Sequence, residues 1–146
     1  MLLASVVALA LALGLTGVGG TAGAADPGNA AVTRAPARIV FQVNDEDSRK
    51  WHTVLANINN VQEELGNVEV AVVVIGPALG MLKADALTAN KVQDAMAAGV
   101  RFVACGNSMT ALKLDKDDMI EKIDYARAGY VEIMRLQQQG WTYLRP

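Results

Sequence analysis

Nine residues, VEVAVVVIG at 68–76, restrict the fold of this chain more than any other stretch. A strand with one wet face alternates polar and apolar side chains. A nearly unbroken β-branched run needs cover on both faces, which is the condition of a strand inside a parallel sheet packed between helices. The run stops at Gly76-Pro77, a strong break in any regular element.

The flanking sequence supplies the helices. RIVFQV at 38–43 is another short apolar run, and it ends at the acidic turn Asn44-Asp45-Glu46-Asp47. Trp51, Val54, Leu55, Ile58, Val61 and Leu65 then recur at helical spacing until Gly66. Thr88 is placed to cap a helix through Val92, Ala95 and Met96, closed by Gly99. VRFVA at 100–104 reads as the third strand and runs directly into Cys105, the only cysteine. Short helices are expected near 108–113 and 116–121, then KIDYA (122–126) as a fourth strand, GYVEIMRLQQQ (129–139) as a helix stopped by Gly140, and WTYLR (141–145) as a fifth strand.

Strand–helix alternation with short linkers predicts an α/β protein with a single doubly wound, mostly parallel five-stranded sheet. The flavodoxin-like order 2-1-3-4-5 is the expected arrangement. Its crevice falls between strands 1 and 3, at their carboxyl ends. That order sets Asn44 and the acids after it opposite Cys105-Gly106-Asn107-Ser108, and it puts the thiol where such sheets bind ligands.

A chain of 146 residues suits one domain. The apolar run at 2–15, followed by small residues up to Ala22-Gly23-Ala24, has the layout of a secretory signal peptide, although no basic residue precedes it. The expected organisation is a signal segment 1–25 cleaved near Ala24 or Ala25, a Pro-punctuated leader 26–37, and one domain over 38–146. The mature protein would be periplasmic or secreted, with no membrane attachment after cleavage. A net charge of −2 without a Lys/Arg cluster argues against nucleic acid and anionic membrane surfaces as partners. A lone cysteine in an exported chain is a free reactive thiol or one half of an intermolecular bond.

Cys105 is followed by Gly106 and a helix start. Free N–H groups there favour the thiolate, which is the nucleophilic form. The alternative is a buried, inert cysteine that finishes a core strand. The acidic turn 44–47 reads as a helix cap. A phosphoryl acceptor in such a fold would need an acid where Cys105 stands, and the acidic turn would repel a flavin phosphate, so neither metal nor cofactor is expected. His52, the sole histidine, could act as a base toward Cys105 or simply lie exposed near a helix start. Cys105 and Met109, with Met81 and Met119, offer soft donors for Cu(I), although such methionines ordinarily fill core gaps. Gln62 falls inside an apolar stripe and needs a partner, in a subunit contact or in one buried hydrogen bond.

The segments VFQVND, VLANINNVQEELG, VVVIGPALGML, VACGNSM and GYVEIMRLQQQGWTYLRP, in this order and spacing, resemble the DsrE/DsrF-like family over nearly all of 38–146. The resemblance implies an α/β fold of this kind, assembly into oligomers such as homotrimers or hexamers, and a sulfur relay in which a cysteine carries sulfane sulfur as a persulfide. Cys105 lies in the matching segment and takes the carrier role. Gly76, Pro77, Gly106, Asn107 and Ser108 would line the same crevice, with sulfur-donating and sulfur-accepting proteins as partners. The relay members work in the cytoplasm, whereas this chain carries an export signal.

Overall fold

The computed structural model describes residues 35–146. The expected signal segment, its cleavage point and nearly all of the leader lie outside the described residues. At the centre is β2 (Val68–Val74), the strand that the valine run predicts. From Ala71 to Val74 it has no exposed surface, so both of its faces are covered.

Its side chains divide between two cores, as strand pleating requires. Val70, Val72 and Val74 pack with Phe41, Leu55, Ile58, Leu79 and Phe102. Ala71, Val73 and Ile75 pack with Val40, Val103, Cys105, Ile133 and Leu136. The first core lies under α1 (Ser48–Leu65), α2 (Ala89–Ala97) and α3 (Gly106–Leu112), and α4 (Gly129–Gln138) covers the second. Around β2 stand β1 (Ala37–Val43), β3 (Arg101–Cys105), β4 (Asp124–Ala126) and β5 (Thr142–Leu144), every neighbouring pair parallel. The α/β class and the doubly wound five-stranded sheet agree with the sequence reading.

The order along the sheet is β4-β3-β2-β1-β5. In the flavodoxin-like order β1 and β3 are neighbours; here β2 lies between them. The physical reason is that α1 and α2 sit side by side on one face. The Gln62 amide donates to the Ala98 carbonyl at the end of α2 across 3.0 Å, an exposed bond where a buried one or a subunit contact was expected. Crossovers of the usual hand on one face carry the chain onward in one direction. β1, β2, β3 and β4 therefore follow in sequence, and only α4, on the other face, brings the chain back to lay β5 beside β1.

Local signals behave as their chemistry dictates, with one exception. The Asp47 carboxylate caps α1 by accepting the Arg49 N–H. Thr88, expected to cap α2, makes no capping bond. Its buried hydroxyl donates instead to the Met81 carbonyl at 3.0 Å, fastening the tight 3-10 segment Gly76–Leu82 that follows β2. Among the described residues no helix is long and apolar enough to cross a membrane.

Candidate functional site

Strand alternation aims Phe102 and Ala104 at the α1–α3 face and Val103 and Cys105 at the α4 face. Cys105 ends β3 and is the extended cap residue from which α3 departs. Through Met109, α3 joins the first core, whereas the chain leaving β4 turns into α4 and the second core. Neighbouring parallel strands whose exits leave toward opposite faces open a crevice at their carboxyl ends. The crevice therefore lies between β3 and β4, with Cys105 at its rim in register with Ala126. The expected crevice between β1 and β3 is not formed, because β2 lies between them, and the wall beside the thiol is β4.

Polar groups beside the sulfur favour its charged form, and one of them is hydrogen-bonded to it. The Gly129 N–H donates to Sγ at 3.2 Å, and the Ser108 hydroxyl and the N–H groups of Ser108 and Asn107 also favour its charged form. Burial acts in the opposite sense and is the largest single influence, raising the thiol pKa. The donors outweigh it, so the pKa lies below the ordinary thiol value. Ser108 pulls hardest. Asn107 pulls least, in keeping with its N–H being bonded to the Arg127 carbonyl at 3.0 Å.

The crevice is closed around the thiol, and Cys105 is only 4 % exposed. A methyl group at Gly129 would stand 2.7 Å from Ile75 Cγ1 and 3.2 Å from Cys105 Cβ, so glycine alone permits this approach of α4. One at Gly106 would stand in ordinary contact with the Ala126 and Arg127 carbonyls, at 3.4 and 3.5 Å. A concavity of about 810 Å³ lies at the opposite, amino-terminal ends of the strands, beside Arg38, Glu69 and Thr142. Neither it nor the groove of about 350 Å³ between α1 and α2 includes Cys105.

Of the residues expected around the thiol, Gly106, Asn107 and Ser108 are there, and Gly76 is tied to them by its N–H, which donates to Ser108 Oγ at 2.9 Å. Pro77 is exposed at the start of the 3-10 segment. Asn44 is not brought to Cys105, because β2 separates the end of β1 from β3. Its Oδ1 is buried without a hydrogen-bond partner. Two of the acids after it are paired locally: Asp45 with Lys50 at 2.7 Å and Asp47 with Arg49, which holds the Asp47 carboxyl below its usual range.

His52 lines the α1–α2 groove, on the face of the sheet away from Cys105, so it is no base for the thiol. Met81, Met109 and Met119 fill the α1–α3 core, again on the opposite face, so Cys105 and Met109 do not form a soft donor pair. Sequence reasoning missed Gly129 and Ile75. A glycine opening a helix directly after a short strand, as in ARAGY at 126–130, was the available signal for the first.

The fold and its thiol define a small doubly wound α/β protein with a cysteine enclosed at its switch point. The chain belongs to the DsrE/DsrF-like family, whose model matches residues 37–146, and this relates it in general terms to the sulfur relay proteins. It is similar to the solved structure of MTH1491, a protein of unknown function from Methanobacterium thermoautotrophicum, with 32% identity over 75% of this chain and 99% of that one, and a TM-score of 0.74. The ychN protein from E.coli shares the fold at 14% identity, again over 75% of this chain and 99% of that one, with a TM-score of 0.65. No curated protein matches the chain.

Proposed function

We propose that this protein is an exported sulfur carrier of its family, in which Cys105 takes up sulfane sulfur as a persulfide and passes it on. The observation that supports this is the Gly129 N–H donated to Sγ at 3.2 Å, which with the neighbouring polar groups favours the thiolate although the site is buried. The thiolate attacks the outer sulfur of a donor persulfide. The donor S–S bond breaks, its electron pair leaves with the donor thiolate, and a new S–S bond forms on Cys105 with no external oxidant. Because the sulfur is covered, the turn Arg127-Ala128-Gly129 must move aside for donor and acceptor to reach it.

Export rests on the apolar leader and its small-residue cleavage site, and donor and acceptor are taken to be proteins of the same compartment. Assembly into homotrimers or hexamers follows from the family resemblance, and light scattering on the mature protein tests it. The decisive experiment is intact-mass measurement after incubation with a sulfane-sulfur donor. Wild type gains the mass of sulfur and Cys105→Ser does not. Equal masses for the two would end the carrier reading.

The low exposure of Cys105 favours a second reading, a non-catalytic binding or assembly module in which the thiol is structural. Iodoacetamide separates the two. A thiol alkylated in the native protein serves the carrier, and one alkylated only after denaturation serves the module.

A further inference from the structure

The groove of about 350 Å³ between α1 and α2 has an apolar floor of Leu55, Ile58 and Ala95, which pack into the first core. Lys91, Asp94 and Ala98 line its α2 side and are exposed. Among the described residues neither Lys91 nor Asp94 enters an ion pair, although they stand one turn apart on the same helix. Leu87 extends this stripe. The Ala89 N–H donates to the Ala86 carbonyl at 3.0 Å and Thr88 has helical backbone angles, so the turn that holds Leu87 leads straight into α2. Leu87, Lys91, Asp94 and Ala98 then follow one another at steps of four, three and four, which keeps them on one helical face. Leu87 is 88 % exposed, so nearly all of its apolar surface is in water. A single stripe thus carries a projecting apolar knob, an unpaired charge of each sign and the edge of an apolar hollow.

We propose that a second copy of this chain docks on this groove across a twofold axis, with the two α2 helices antiparallel. A twofold contact is isologous: each copy gives the other the same residues. An antiparallel register that sets Lys91 opposite Asp94 of the second copy also sets Leu87 opposite Ala98 of the second copy. Every unpaired charge on the stripe then meets its opposite. Each Leu87 comes to the end of the other copy's groove, where small Ala98 lies beside Gln62 and leaves room for it. A parallel pairing in register would set Lys91 against Lys91 and Asp94 against Asp94, and like charges brought face to face oppose association. The stripe is its own complement, which is what selects a second copy over a foreign chain. The groove lies on the face of the sheet away from Cys105, so the inference goes beyond the sulfur-carrier reading and does not depend on it.

The test is light scattering across a dilution series of the mature protein and of charge-reversed variants. Wild type is expected to form an even-numbered assembly, a dimer or a hexamer. Lys91→Glu sets two carboxylates face to face and is expected to raise the dissociation constant of the twofold contact roughly tenfold or more, halving the mass on dilution. The double variant Lys91→Glu/Asp94→Lys restores opposite charges in the same register and is expected to recover the wild-type constant. Leu87→Ser is expected to weaken association with the charges intact. The three side chains are exposed, so the variants are expected to keep the wild-type melting temperature. A wild type that is monomeric or trimeric overturns the proposal. So does an unchanged dissociation constant in either Lys91→Glu or Leu87→Ser, or a double variant no better than Lys91→Glu. No sulfur donor is present in these measurements, so a failure of sulfur uptake at Cys105 leaves them intact, and the two ideas fail separately.

Discussion

Gly129 and Cys105 meet across the crevice, the backbone N–H of the one donating to the sulfur of the other at 3.2 Å. The bond ties the start of α4 to the end of β3, so the charge on the thiol and the seating of that helix are coupled. Anything that lifts the first turn of α4 takes a donor from the sulfur and uncovers it in the same movement. A carrier needs such a coupling, because a sulfur exposed at all times would be oxidised or captured indiscriminately.

Gly129→Ala tests the coupling. The new methyl group cannot share space with Ile75 Cγ1 at 2.7 Å, so α4 must shift outward. Overpacking of this kind costs about 1–3 kcal/mol. Urea unfolding is expected to show that loss, and native-state alkylation of Cys105 is expected to be faster than in wild type.

The depressed thiol pKa makes stability depend on pH. The folded state holds the thiolate better than the unfolded chain does, so this contribution is fully present above the unfolded value of 9.0 and is lost as pH falls through the folded one. Wild type should therefore gain stability relative to Cys105→Ala as pH rises toward 9.0 in paired urea melts. A difference that does not change with pH would show that the donors leave the thiol unperturbed.

Thr88→Val keeps the side-chain shape and removes a buried hydroxyl that satisfies the Met81 carbonyl. An acceptor stranded in the core costs about 1–3 kcal/mol. Thermal unfolding should register this loss.

Arg101 bridges Asp124 and Glu132, pinning the flank of α4 to the amino ends of β3 and β4. Exposed pairs of this type are worth about 0.2–1 kcal/mol each and weaken in salt. Glu132→Gln is expected to cost no more than that at low ionic strength and to approach wild type at high salt, as read by urea midpoints.

Much of the fold was legible because the signals are local. The unbroken valines of β2 demanded cover on both faces, the helical stripe from Trp51 to Leu65 announced α1, and Gly66, Gly99 and Gly140 marked the ends of helices. The thiol at a strand end before a helix was equally plain. The short, largely exposed β4 and β5 lie inside the segments expected for them, 122–126 and 141–145, although three residues are too few for a period to fix their ends. Thr88 shows the same limit at a single residue: its side chain suited a cap, and a carbonyl seven residues earlier claimed it.

What the sequence determined by itself is the kind of element at each position and the α/β class that follows, since the period of apolar residues is written into each segment and needs no neighbour to be read. What only the tertiary structure decided is the strand order, and with it the identity of the residues that surround Cys105. That order depends on which face of the sheet each helix covers. Asn44 was thereby taken from the thiol and Gly129 brought to it, through contacts between segments far apart in the chain.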